Sequence, residues 1–137
     1  MSVRSFLDSN ILVYTDDGGH PAKQKRALSL VERCFSEDQG VLSIQVLQEY
    51  FTIATRKLGV NELVARRKVE LFSQLHLVIP GLDEVLAAID MHCLHEFSFW
   101  GAMIICCALR ASCSVLYSED MQHGQRIRGL RIVNPFA

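Results

Sequence analysis

Three acidic residues stand at places where chemistry can be built: Asp8 in FLDSN, Glu49 in VLQEYF and Asp120 in SVLYSED. Carboxylates are hard oxygen donors. Gathered in one pocket, they hold a divalent cation such as Mg²⁺ or Mn²⁺, or they keep a proton through raised pKa values. A cation held in that way activates water and neutralises charge at a phosphate under in-line attack. Asn10 and Ser118 lie two residues from Asp8 and Asp120, within reach of a carboxylate or a metal-bound water.

Each of these residues also has a plain structural use. Asp8 and Asp120 both suit a helix N-cap or a turn. Glu49 borders Leu47, Tyr50 and Phe51, and is either a buried ligand or a solvated residue at the edge of an apolar face. Asn10 and Ser118 are common in turns. As a pair, Asp8 and Asp120 say more than either does alone. Each follows a short apolar run, and parallel strands would aim both at one sheet edge.

The elements that must position them read as follows. Residues 3–7 form a buried strand that ends at Asp8. A short helical segment covers 11–14, and Asp16-Asp17-Gly18-Gly19 is a loop. Pro21 suits a first helical position, and 22–35 continues as a helix with Ala27, Leu28, Leu30, Val31 and Phe35 on one face. Residues 41–43 form a strand, and Ser43 caps a helix over 44–58 that Gly59 breaks. Asn61 caps a helix over 62–75. A strand at 76–79 and a Pro80-Gly81 turn lead to a helix over 82–96, striped by Leu82, Val85, Leu86, Ile89 and Leu94. Ser98 caps a helix over 99–111 that is apolar nearly all round and is therefore central. A strand at 114–117, a loop punctuated by Gly124 and Gly129, and a strand at 130–133 complete the chain. Alternating strands and helices predict an α/β fold with a short central parallel sheet flanked by helices. In such sheets, functional residues collect at the carboxyl ends of strands.

The chain has 137 residues, a length that fits one domain over 1–137. Half of the residues are hydrophobic and 21% are charged, which argues against a disordered chain. Fourteen basic and fifteen acidic residues leave a net charge of −1, so overall charge says nothing for nucleic acid. Two local groups are basic: Arg56, Lys57, Arg66, Arg67 and Lys68 around the Gly59 turn, and Arg126, Arg128 and Arg131, with Gln122, His123 and Gln125, after Asp120. Either can contact phosphates, and solvated surfaces have the same composition. The five cysteines are odd in number and show no C-x-x-C spacing, so they read as small buried hydrophobes in a reducing compartment. His92, Cys93 and His95 lack a second ligand cluster, which argues against zinc. The start MSVRSFLDSN does not continue into an apolar leader, and the longest apolar run, 102–109, is too short for a bilayer. The expectation is a cytoplasmic protein without a membrane segment.

Taken in order, these blocks resemble PIN-domain ribonucleases, and among them the VapC-like toxins of toxin–antitoxin pairs. FLDSNILVY is similar to the first family motif, LSIQVLQEYF to the second, and LYSEDMQHGQRIRGLRIVNPF to the last and most specific. The resemblance implies a PIN-like fold and Mg²⁺- or Mn²⁺-dependent cleavage of RNA such as tRNA or rRNA. It implies Asp8 and Asp120 as metal ligands, and Glu49 as a ligand through water or a positioner of the attacking water. Asn10 and Ser118 would support them. It also implies a cognate antitoxin and a homodimer as protein contacts.

One position departs from the pattern. The third family acid opens the central helix three residues after a Ser or Thr, and here SFWGAMIICCAL places Gly101 there. Glycine is a poor helix former, and an acid would favour a helix N-terminus, so nothing local asks for it. The expectation is a nuclease scaffold with severely reduced activity. The alternative is a non-cleaving module that binds an antitoxin. A phosphatase using Asp8 as nucleophile is a third reading, disfavoured because the motif is Asp-x-Asn and the serine and lysine partners such chemistry uses are not obvious.

Overall fold

The short apolar runs of the sequence become the middle of one sheet. The computed structural model describes residues 3–137; Met1 and Ser2, where the N-terminal reading begins, lie outside the described residues. The elements in chain order are β1 (Ser5–Leu7), α1 (Ser9–Tyr14), α2 (Pro21–Ser36), β2 (Gly40–Ser43), α3 (Ile44–Arg56), α4 (Glu62–Phe72), β3 (His76–Val78), α5 (Leu82–Leu94), α6 (Phe99–Arg110), β4 (Val115–Tyr117), β5 (Arg126–Ile127) and β6 (Leu130–Val133). The sheet order is β3-β2-β1-β4-β6-β5. All neighbours are parallel except β5 and β6. Every residue of β1 and β2 is buried, as expected for central parallel strands covered by helices on both faces.

Local capping chemistry sets several helix starts. Asp8 accepts the Ser9 N–H and opens α1. The Ser43 hydroxyl accepts the Val46 N–H at 3.4 Å and opens α3. Asn61 accepts from Leu63 and Val64 at the start of α4. Ser98 accepts from Gly101 at the start of α6. Pro21 stands at the start of α2, as the sequence predicts. The central reading of α6 also holds: residues 102–108 are all buried.

Four expectations are corrected. In α5 the core-facing residues are Ala88 and Met91, with Val85 half-buried beside them, while Leu82, Leu86, Ile89 and Leu94 face solvent. The helix packs mainly on α6. In α2, Leu28 is exposed and Cys34 is buried with Ala27, Leu30 and Val31. The segment after Asp120 is not all loop: β5 and β6 form a hairpin whose turn residues, Arg128 and Gly129, have φ of 50° and 87°. Positive φ at both central positions matches the right-handed twist of the flanking strands. Four cysteines are buried as expected, but Cys93, on α5, is exposed. No described helix is long and apolar enough to cross a membrane.

Candidate active site

The site lies where β1 and β4 end side by side. These strands are parallel neighbours, with Leu7 in register with Tyr117. The Asp8 N–H continues the pairing to the Tyr117 carbonyl at 3.0 Å. Asp8 therefore emerges at the sheet edge as the N-cap of α1, and its two readings, cap and site residue, are both true of one side chain. Its Oδ1 accepts the Ser9 N–H at 2.7 Å. Its Oδ2 accepts the Ser118 hydroxyl at 2.8 Å.

Two polar side chains join Asp8 to the other acids. The Ser9 hydroxyl donates to Glu49 Oε2 at 3.1 Å and lies 3.5 Å from Asp8 Oδ1. The Asn10 amide nitrogen lies 3.4 Å from Asp8 Oδ2 and 3.1 Å from Asp120 Oδ2. Ser118 also accepts the Asp120 N–H at 3.2 Å, which fixes the turn after β4. Glu49 projects from α3 and takes a further bond from Gln45 at 2.6 Å. Three carboxylates from three parts of the chain thus face one another across neutral donors, with no positive side chain between them.

Their mutual presence marks Asp8. Burial pushes its carboxyl up, and the neighbouring Glu49 and Asp120 charges add to the rise. Hydrogen bonds from Ser118 and from the Ser9 backbone pull the other way, and the balance stands at about 6 against an ordinary 3.8. A carboxyl held in that state favours any cation that can enter.

A cavity of about 480 Å³ opens onto these acids. Asp8, Glu49, Asp120 and Gly101 line it together. Gly101 sits in the first turn of α6, where its N–H donates to Ser98 Oγ at 3.0 Å. A Cβ built there would lie 3.1 Å from the Ser98 oxygen and 3.5 Å from the Met121 methyl, with no backbone in the way. A side chain here therefore requires the Ser98 hydroxyl to give by a few tenths of an ångström, but meets no backbone obstacle, and it would border the acidic cavity.

Other acids near in sequence divide. Glu96 lines the cavity; Asp90 does not. Glu119 turns away and is occupied by Lys23 at 2.7 Å and the Tyr14 hydroxyl at 2.7 Å. No lysine or arginine of either basic group lines the cavity. Lys68 instead binds Asp16 at 2.6 Å and the Thr15 hydroxyl at 2.8 Å, while Arg66 pairs with Glu70. The sequence reading missed Ser9, Gln45 and the aromatic wall of Phe97 and Trp100. Ser9 carried a signal in its place between Asp8 and Asn10; the others become visible only when the chain folds.

Among the described residues, no three Asp, Glu, His or Cys side chains stand together as a set able to hold a metal ion by themselves. The donor chemistry fits a hydrated hard cation instead. Mg²⁺ keeps several waters and is commonly bound through one or two carboxylates. Asp8 and Asp120, bridged by one amide, offer that arrangement.

The PIN domain family matches residues 5–126 of the chain. No curated protein sequence matches it significantly. Among solved structures, the chain is similar to the VapC20 toxin of Mycobacterium tuberculosis, described as cleaving the sarcin–ricin loop, at 21% identity and a TM-score of 0.66, over 85% of this chain and 89% of that one. A toxin–antitoxin complex from Klebsiella pneumoniae is similar at 17% identity and a TM-score of 0.72, over 96% of this chain and 97% of that one. DNA-bound VapBC from Salmonella typhimurium is similar at 18% identity and a TM-score of 0.68, over 95% and 96%.

Proposed function

Because this chain belongs to the PIN domain family, we propose that it is a metal-dependent endoribonuclease scaffold, the toxin of a toxin–antitoxin pair, with cleavage impaired at Gly101. One observation carries it: three carboxylates and Gly101 border a single cavity at the carboxyl end of the sheet. Asp8 and Asp120 would hold Mg²⁺ or Mn²⁺, and Glu49 would engage it through water or position the attacking water. Ser118 orients both aspartates, and Asn10 spans them. The cation supplies charge neutralisation at the phosphate and an activated water. Gly101 leaves one wall without a carboxylate, so a cation would be held more weakly and less exactly placed. Catalysis tolerates little misplacement. The RNA is a structured one such as tRNA or rRNA, encountered in the cytoplasm, and the chain is one domain that pairs with itself.

A second reading has Gly101 in its favour: a non-cleaving module that binds a cognate antitoxin, whose arginine would enter the remaining acidic pocket. Parallel RNA cleavage assays with Mg²⁺ or Mn²⁺ separate the two, comparing this chain with Gly101→Asp, with Gly101→Ala as a helix-propensity control and EDTA throughout as a blank. The nuclease reading expects cleavage to rise in Gly101→Asp alone and to vanish in EDTA. Equal cleavage by all three chains removes Gly101 from the account. Silence from all three, with each still folded, favours the binding module.

A further inference from the structure

The same cavity carries an aromatic surface that the acid chemistry does not use. Trp100 lies in the first turn of α6, beside Gly101, and lines the cavity while remaining 61% exposed. It is the only tryptophan of the chain. The Phe99 ring meets it edge-on, with centroids 5.0 Å apart at 69°, which limits the positions the indole can take. Its N–H donates to no other described residue. Gln122 and Gln125 also line the cavity, and their carboxamides make no hydrogen bond within the described residues.

An exposed, braced indole in a cavity wall is a surface waiting for a flat partner. Nucleobases stack on such rings whatever their sequence, and free carboxamides match the donor–acceptor edges of bases. At the Trp100 wall itself phosphate is a poorer occupant than a base, because no Lys or Arg lines the cavity to receive it. We propose that Trp100 is a substrate-binding residue that stacks an unpaired base of the RNA beside the scissile phosphate, with Gln122 and Gln125 reading its edge. This rests on the RNA substrate of the preceding reading. It adds a requirement that the target present an extruded or single-stranded base, since a paired base cannot reach the ring.

The test uses the unmodified chain with Mg²⁺ and a short single-stranded RNA. Because one tryptophan supplies all indole emission, quenching reports on Trp100 alone. Anisotropy of the same RNA, end-labelled, reports binding independently. The expected result is saturable quenching that tracks the anisotropy curve, none with an abasic RNA of equal length, and binding weakened about 5- to 150-fold in Trp100→Ala. Trp100→Phe retains most of the affinity. Binding by anisotropy with flat emission and an unaffected Trp100→Ala overturns the stacking role and leaves the RNA reading standing. Quenching by an arginine-bearing peptide but not by RNA assigns the ring to a cation and overturns it too. No anisotropy change with any RNA defeats the RNA reading, and this proposal with it.

Discussion

Asp8→Asn should make this protein more stable at neutral pH, at the expense of its chemistry. The Asp8 carboxyl titrates near 6 in the folded chain, against 3.8 when unperturbed. The folded chain therefore holds this proton more tightly than the unfolded chain does. The contribution of this one group to stability is most favourable below about pH 4, falls as the pH rises toward 6, and above 6 bears the whole penalty. A rise of roughly two pKa units corresponds to about 3 kcal/mol at 1.36 kcal/mol per unit. Asparagine removes the charge and keeps an acceptor for the Ser9 N–H. Its amide meets the Ser118 oxygen, whose hydroxyl must turn round to accept, so part of the gain is lost. The net expectation at pH 8 in EDTA is about 2 kcal/mol of added stability, or roughly 6–10 °C in Tm for a chain of this size. The assay is thermal and urea unfolding of both chains at pH 4, 6 and 8. The difference should be near zero at pH 4 and fully open at pH 8. A variant no more stable than the parent at pH 8, or a gain that persists unchanged at pH 4, would refute the assignment of the penalty to a buried charge.

Two other substitutions follow from the same geometry. Ser118→Ala removes the hydroxyl that donates to Asp8 and accepts from Asp120, so the Asp8 carboxyl should titrate still higher, as read by carboxyl NMR. Stability at pH 8 should fall by about 1–2 kcal/mol in urea. Lys68→Met keeps the aliphatic stem but strips Asp16 of its ammonium partner, leaving the Tyr50 hydroxyl, at 2.5 Å, as its remaining side-chain donor. A loss of about 1–3 kcal/mol is expected, partly restored by adding Asp16→Asn; no restoration in the double variant would mean that the pair is not coupled.

What the sequence made legible was mostly local. Capping at Asp8, Ser43, Asn61 and Ser98 depends on one side chain and the next few backbone amides, so it is readable without knowing the fold. The placing of Asp8 and Asp120 at one edge followed from strand ends in a parallel sheet. Periodicity failed at α5 because it shows that a face is apolar but not which neighbour receives it. Ala88 and Met91 met α6, and the larger residues were left outside. The β5–β6 hairpin escaped because β5 has two residues and its turn places a non-glycine residue at positive φ. Glu49 was ambiguous from its own neighbours, and its place became clear only through Ser9, forty residues away. The aromatic wall carried no periodic signal at all.

The distribution of sulfur has a practical consequence. Cys34, Cys107 and Cys113 are buried, and burial pushes their thiols up to about 11, 11 and 12. Cys106 is buried and shifted the same way. Thiolates are the reactive form, so these four groups are doubly shielded, by chemistry and by access. Cys93 alone stands in solvent, on the α5 face beside Ile89 and Leu94. A brief pulse of alkylating reagent therefore weighs the conformational state of each molecule, adding one label to a folded chain and five to an opened one. The protein carries a built-in counter of its own unfolding, and a unique handle on the helix whose leucines face outward.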